Sequence, residues 1–433
     1  MEYYAAAETW SREQIRRVQA VRLKNTMSQA LRSPFYKEHF GRAAVGPNDI
    51  TSCDDISKLP FTTKDDLRGA YPNGLFAVPK SELVRFHASS GTTGTPIIVC
   101  HTQDDLDTWA DLMARCMHMV GIRKDDVFQN IAGYGLFTGG LGIHYGAERL
   151  GCMTIPAGTG NTRRQLMLIR DMQVTALHII PSYALYLGSS LMDDGLDPRS
   201  LPPRIALIGA EPHTEEVRQR IEYVLGLKAY NSYGLSEMNG PGVAFECLAQ
   251  NGLHVWEDAF IAEIVDPESG QTLPDGEMGE LVMTTIARRG MPILRYRTRD
   301  LTRIIPGICA CGRAHRRIDR ISGRVDDMFI VKGCNIYPMQ VERVLMTFPE
   351  VGENYLIVLE HKDSMDQMRV QVEIRNEYFV EDMRALTGLQ KAIASRLRNE
   401  ILLTPKVELV QANAIPRAEG KAKRVDDRRN LVP

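Results

Sequence analysis

Apolar positions along the chain first follow helical spacing and then break into short runs. Ile15, Val18, Val21, Leu23, Met27 and Leu31 recur at about helical spacing. With Ser11 as a cap and Pro34 beyond the end, they predict an N-terminal helix over residues 11–32. Residues 57–67 supply a turn and a second helix start capped by Thr63. Apolar runs at 97–100, 127–131, 152–155, 176–180, 205–208 and 227–230 then read as strands. Helical patterns at 104–120, 163–172, 183–192 and 215–225 lie between them, and a glycine-rich stretch leads from residue 131 toward Leu150. Strands alternating with helices predict a parallel sheet covered on both faces, with ligands at the carboxyl ends of its strands.

The pattern changes between about residues 259 and 305. Two apolar runs, 260–265 and 279–284, are separated by Asp266-Pro267-Glu268-Ser269-Gly270 and Pro274-Asp275-Gly276, which is strand and turn chemistry. A last unit opens near Met328, with strands at 328–331, 355–359 and 370–374 and helices at 338–346 and 380–397. The expected fold is therefore α/β. Residues 1–325 form a large N-terminal domain of parallel-rich sheets and helices, with a β-rich subdomain over about 255–325, and residues 326–433 form a small α+β domain.

Composition narrows the function classes. The 433 residues exceed the size at which one core keeps growing, and 44% hydrophobic and 24% charged residues are ordinary for a soluble globular protein. A net charge of −2 gives no electrostatic case for nucleic acid or a membrane surface, so a small-molecule substrate is expected. Residues 1–10 lack the basic and apolar regions of a secretory signal, and no run approaches the about eighteen apolar residues of a membrane span. A cytoplasmic location is the resulting expectation. The eight cysteines, widely spaced, read as reduced thiols.

The segment Ser89-Ser90-Gly91-Thr92-Thr93-Gly94-Thr95-Pro96 packs five hydroxyls and two glycines between two apolar runs. Exposed N–H groups and hydroxyls suit an anionic oxygen cluster such as phosphate, although the same residues also make a polar surface turn. It is not the P-loop of nucleotide triphosphatases, because no Gly-Lys-Ser/Thr follows. Five further polar stretches interrupt the apolar pattern: 209–212, 231–237, 296–300, 323–327 and 416–421. The first two directly follow predicted strands, so both are expected at the ligand edge.

Taken in order, the Ser/Thr/Gly loop, Tyr233-Gly234-Leu235-Ser236-Glu237, Arg297-Thr298-Arg299-Asp300, Gly323-Arg324-Val325-Asp326-Asp327 and Gly420-Lys421 resemble the adenylate-forming superfamily of acyl-CoA synthetases, adenylation domains and luciferases. Within it, Arg32-Ser33-Pro34-Phe35-Tyr36, Leu59-Pro60-Phe61-Thr62-Thr63-Lys64, Val331-Lys332-Gly333-Cys334-Asn335-Ile336-Tyr337-Pro338 and Pro416-Arg417-Ala418-Glu419-Gly420-Lys421 are most similar to the phenylacetate-CoA ligase family. The resemblance implies attack of an acid on the α-phosphorus of ATP, giving an acyl-adenylate and pyrophosphate. The thiol of coenzyme A then displaces AMP. It also implies a mobile C-terminal domain and a homodimer.

By the same resemblance, Ser89, Ser90, Gly91, Thr92, Thr93 and Gly94 hold the β- and γ-phosphates, and Glu237 is a Mg²⁺ ligand. Asp300 accepts the ribose hydroxyls, while Ala210, Glu211, Pro212, Asn231, Ser232 and Tyr233 frame adenine. Lys421 offsets charge in acid activation, with Lys423 as its rival; Arg324 holds nucleotide and Asp326 is the hinge. Resemblance and chemistry together place the acid pocket at Tyr134 and Phe137, with Gly209, Ala210 and Gly234 opposite.

Cys247, His254, Cys309 and Cys311 lie outside that pattern. Three thiols and an imidazole suit structural tetrahedral zinc, and reduced cysteines lying near one another are the other reading. Two alternatives to the ligase also stand: transfer of another aromatic acid to a carrier-protein thiol, and a nucleotide-binding module without ligase activity.

Overall fold

Five consecutive buried residues, Ile205–Gly209, and four more, Ala176–Ile179, form the middle of a nine-stranded sheet. Strands buried on both faces read as continuous apolar runs, which is why these were visible in the sequence. Val127–Asn130 pairs in parallel with Met153–Ile155 and with Ala176–Ile179, and Ala176–Ile179 pairs in parallel with Ile205–Gly209. On the other side the sheet turns antiparallel through Lys228–Leu235, Gly240–Glu246 and Leu253–Val255, and ends with Arg317–Ile318 and Ile304–Ile305. The expected α/β class with parallel-rich sheet is what forms.

This computed structural model describes residues 2–89, 96–362, 365–379, 383–416 and 422–429. The chain divides into two units: Met1–Ile179, Pro202–Ala210 and Tyr230–Ile321 in the first, and Ile180–Leu201, Glu211–Ala229 and Ser322–Pro433 in the second.

In the first unit the N-terminal helix runs Arg12–Ala30, with Gln14 N–H donating to the Ser11 hydroxyl. Thr63 caps Lys64–Gly69 in the same way. The glycine-rich stretch with no predicted element is helical over Thr138–Leu150. Its glycines cost helix propensity but let it press on the helix Gln103–Met119. A Cβ at Gly142 would lie 2.2 Å from Trp109 Cζ2, and one at Gly146 2.3 Å from Met113 Cβ. The β-rich region appears as an antiparallel set, Phe260–Val265, Gly279–Thr285 and Tyr296–Thr302.

In the second unit, helices Pro181–Asp193 and Glu215–Leu225 pack so closely that a Cβ at Gly188 would lie 2.3 Å from Val224 Cγ1. The C-terminal part orders its sheet as Lys406–Gln411, Met365–Ile374, Val351–Lys362, Val425–Asp427, with helices Pro338–Leu345 and Met383–Ile401. Among the described residues no helix is long and apolar enough to cross a membrane.

Candidate functional site

The glycine/hydroxyl segment is flanked by two paired strands. Strands Arg85–Ala88 and Ile98–His101 pair antiparallel, and the ladder continues one step further, with Ser89 N–H donating to Ile97 O at 2.8 Å and Ile97 N–H to Ser89 Oγ at 3.3 Å. Ser90, Gly91, Thr92, Thr93 and Gly94, like Lys421, lie outside the described residues. Beneath the paired strands, His101 stacks on Trp109 at 5.4 Å and His87 meets the same ring edge-on at 5.7 Å. Burial drives both imidazoles toward the neutral form, His101 most strongly. This aromatic floor was not read from the sequence, where His87 and His101 sit singly in separate runs.

Two buried carboxylates are cross-braced by tyrosines from two strands. The strand Lys228–Leu235 runs further than the expected 227–230, so Asn231, Ser232, Tyr233 and Gly234 lie within it and do not follow it. Pairing of Ser232 and Tyr233 with Phe245 and Ala244 carries the ladder through the polar residues. Tyr233 donates its hydroxyl to Asp300 Oδ2 at 2.6 Å, across to the strand Tyr296–Thr302. That strand returns the contact: Tyr296 donates its hydroxyl to Glu237 Oε1 at 3.1 Å. Each acid is thereby oriented by a neutral donor from the other segment. Arg288, buried and with its guanidinium pushed down to about 10 by desolvation, donates to the Glu237 backbone carbonyl at 2.8 Å.

The glycines here answer to main-chain crowding. A Cβ at Gly234 would lie 1.9 Å from Gly240 O, and one at Gly209 2.4 Å from Ser232 O. Ala210 adopts φ +70°, a left-handed conformation that turns the chain sharply at the end of Ile205–Gly209. Asn231 N–H donates to Glu246 Oε2 at 2.7 Å.

Tyr134 and Phe137 occupy different environments. Tyr134 is half-buried, with its hydroxyl accepting from Asn130 Nδ2 at 2.9 Å and 3.3 Å from His144 Nδ1. Asn130 is itself fixed by Gly140 O at 2.8 Å and by His178 Nδ1, which lies 3.1 Å from its Oδ1. Burial pushes His178 down to about 4, so the ring is neutral at physiological pH. Phe137 stands 49% exposed as the residue preceding the helix Thr138–Leu150. Asn130 and His178 were missed in the sequence; the available signal was an amide ending one apolar strand and an imidazole inside another.

In the second unit, Glu211 Oε1 accepts Ser182 N–H at 2.6 Å, and Pro212 is the next residue. Arg324 clasps Asp326 through two bonds, Nε to Oδ1 at 2.9 Å and Nη2 to Oδ2 at 3.2 Å. The Lys423 ammonium pairs with Asp426 at 3.1 Å on an exposed surface.

The four zinc candidates come together in the first unit. All are buried, and one ligand atom from each lies within 4.8 Å of the others. Cys247 Sγ is 3.6 Å from Cys309 Sγ, and Cys311 Sγ is 3.2 Å from His254 Nε2. A Zn–S bond of about 2.3 Å in a tetrahedron requires S–S edges of about 3.8 Å, so the donors fit the ion. The uncommon Cys247–His254 spacing follows from the hairpin: Phe245 pairs with His254, which puts Cys247 just past the strand end. His254 Nδ1 lies 3.1 Å from His315 O, which turns Nε2 toward the thiols. The Cys309 thiol is held below its ordinary range, chiefly by its hydrogen bond with His254. None of the eight cysteines forms a disulfide.

The AMP-binding enzyme family matches residues 49–287, and the AMP-binding enzyme C-terminal domain matches residues 333–429. Among characterised relatives, a phenylacetate-coenzyme A ligase of Pseudomonas putida is 44% identical over 426 residues, covering 98% of this chain and 96% of its own. One from Thermus thermophilus is 43% identical over 444 residues, covering 99% and 100%. Among solved structures, a 2-hydroxyisobutyryl-CoA ligase in complex with R3-HIB-AMP superposes with a TM-score of 0.92 at 29% identity, covering 97% of this chain and 91% of that one.

Proposed function

This chain belongs to the AMP-binding enzyme family, and from that membership we propose that it activates phenylacetate with ATP and transfers the phenylacetyl group to coenzyme A. The observation that carries this reading is the 44% identity to a phenylacetate-coenzyme A ligase across 98% of the chain. A carboxylate oxygen attacks the α-phosphorus, the bond to pyrophosphate breaks, and an acyl-adenylate forms. The coenzyme A thiol then attacks the acyl carbon, AMP leaves with the carboxylate-derived oxygen, and the thiol proton is released.

Residue roles follow the chemistry each group can perform. Glu237, buried and oriented by Tyr296, is the carboxylate for Mg²⁺, whose charge offsets that of the phosphates. Asp300, oriented by Tyr233, accepts the ribose hydroxyls. Ser89 to Gly94 donate to the β- and γ-phosphates, and Ala210, Glu211, Pro212, Asn231, Ser232 and Tyr233 border adenine. Tyr134, Phe137, Gly209, Ala210 and Gly234 accommodate the aryl acid. Arg324 serves the nucleotide and Asp326 the hinge, with the domain boundary at 325/326. The ion pair of Lys423 with Asp426 favours Lys421 over it as the cation of acid activation.

Cys247, His254, Cys309 and Cys311 hold a structural zinc, all four positions being filled by protein. Metal analysis of the purified protein tests this: about one equivalent of zinc supports it, and none contradicts it. A homodimer in the cytoplasm completes the proposal. The function is tested by acid-dependent pyrophosphate release with phenylacetate, indoleacetate, benzoate and medium-chain fatty acids, followed by thioester formation with coenzyme A. Phenylacetate is expected to give the highest kcat/KM; release without thioester, restored by a carrier protein, selects the carrier-thiol alternative.

A further inference from the structure

Asn130 ends the strand Val127–Asn130 and is fully buried, beside His178 of the strand Ala176–Ile179, itself 4% exposed. The two are register partners in a parallel pair, which brings their side chains to one face of the sheet. Ile131 N–H then donates to His178 O at 3.0 Å, and the chain leaves the sheet in a narrow excursion. A Cβ at Gly140 would lie 2.4 Å from Gly133 O, and Gly135 takes φ +111°. Residues 133 and 140 therefore meet, with Tyr134 and Phe137 between them. One amide spans the excursion: Asn130 Nδ2 donates to the Tyr134 hydroxyl at 2.9 Å near its start and to Gly140 O at 2.8 Å at its end.

The direction of each hydrogen bond follows from one fixed point. A carbonyl only accepts, so Gly140 O turns the Asn130 amino group toward itself and leaves Oδ1 facing His178 Nδ1 at 3.1 Å. His178, kept neutral by burial, therefore carries its proton on Nδ1. Turning the amide over would set Oδ1 against Gly140 O and the amino group against the His178 N–H, at a site where unmade bonds are costly. Both amino hydrogens of Asn130 are now spent. The Tyr134 hydroxyl accepts one of them and has its own proton left for His144 Nδ1, 3.3 Å away. His144 then carries its proton on Nε2, which lies 3.0 Å from Glu148 Oε1 one helical turn on. The side chains from His178 to Glu148 are thus polarised in one direction.

We propose that Asn130 is a positioning residue for the acid substrate: its amide clamps residues 133–140 and fixes the Tyr134 side chain, with the hydroxyl proton committed to His144. This rests on the acid pocket proposed above, in which Tyr134 borders the aryl group. A ring held at its hydroxyl end is ordered before the acid arrives, so binding does not have to supply that ordering. Tyr134 then offers its ring face and no free O–H donor, which suits an aryl group without a polar substituent.

Phenylacetate-dependent pyrophosphate release is measured for wild type, Asn130→Ala, Tyr134→Phe and the double variant of the full chain. Asn130→Ala is expected to raise KM for phenylacetate about 10-fold and KM for ATP by no more than about twofold. In the Tyr134→Phe background there is no hydroxyl to hold, and the same substitution is expected to cost about threefold or less, a non-additivity that marks action through Tyr134. Equal costs in the two backgrounds, or equal rises in both KM values, overturn the proposal, because a merely structural role would give them. The imidazole nitrogens supply a readout independent of activity and of whether Asn130→Ala folds. At about pH 8, above the ordinary imidazole range, ¹⁵N shifts of the wild type are expected to show His178 protonated at Nδ1 and His144 at Nε2, each assigned by comparison with His178→Gln and His144→Gln. The opposite tautomer at either ring overturns the clamp. A wild type that releases no pyrophosphate with any acid defeats the ligase reading instead, and the tautomers still judge the clamp.

Discussion

Buried carboxylates of the first unit differ in the partners that hold them. Glu257 is held by Arg12 and by Arg316 at 3.0 Å, Asp258 by Arg115 through two bonds of 2.8 and 3.1 Å, and Glu263 by Arg295 at 3.1 Å. Glu237 and Asp300, equally buried at 7%, each accept a tyrosine hydroxyl, Glu237 from Tyr296 and Asp300 from Tyr233. An arginine both orients a carboxylate and supplies the opposite charge, which makes the pair a fixed part of the fold. A tyrosine hydroxyl orients a carboxylate without itself supplying an opposite charge. On the roles proposed above, Glu237 is the working acid this contrast tests.

The largest expected effect falls on an arginine-matched acid. Glu263→Ala leaves Arg295 buried without its counter-charge and is expected to cost about 3–5 kcal/mol, read as a lower urea midpoint. Activity per folded molecule should stay within about twofold of wild type. Glu237→Gln should do the reverse: pyrophosphate release falls about 100-fold, while the thermal midpoint moves by no more than about 2 °C. A Glu237→Gln protein that unfolds as easily as Glu263→Ala would erase the distinction.

Acid titration sharpens it further. Burial raises the Glu257 carboxyl, but the Arg12 hydrogen bond and the charges of Arg316 and Arg12 outweigh this and hold it below its ordinary 4.5. A depressed folded-state value contributes stability that is present above pH 4.5 and lost as pH falls through the folded value. Below pH 4.5 the wild type should therefore lose stability with a slope steeper than that of Glu257→Gln by up to about 1.4 kcal/mol per pH unit. Equal slopes by thermal unfolding across that range would contradict the assignment. The smallest effect belongs to the tyrosines: Tyr233→Phe removes one hydrogen bond to Asp300 and should raise KM for ATP about 5-fold with kcat nearly unchanged.

Much of this architecture was legible because its causes are local. Ser11 and Thr63 announce helix starts through hydroxyls that cap amides three residues on. The continuous apolar runs at 176–180 and 205–208 announced buried parallel strands. What was not legible depends on distant partners. The helix Thr138–Leu150 is rich in residues that disfavour helix, and only the proximity of Trp109 and Met113 explains Gly142 and Gly146. Polar Asn231 and Ser232 hide a strand that exists because Gly240–Glu246 pairs with it.

The site divides in the same way. Glu237 and Asp300 were visible through the order of their motifs, yet the exchange of tyrosines between them spans 59 and 67 residues and leaves no local trace. The Cys/His cluster was visible as residue types, while the hairpin that makes the Cys247–His254 spacing workable was not.

In the proposed reaction a carboxylate oxygen of the acid bonds to the α-phosphorus of ATP. Phenylacetate labelled with ¹⁸O in both carboxyl positions, incubated with the protein, ATP and coenzyme A, tests it directly. AMP carrying one ¹⁸O per phenylacetyl-CoA formed is the predicted result; thioester formation with the label absent from AMP would contradict it.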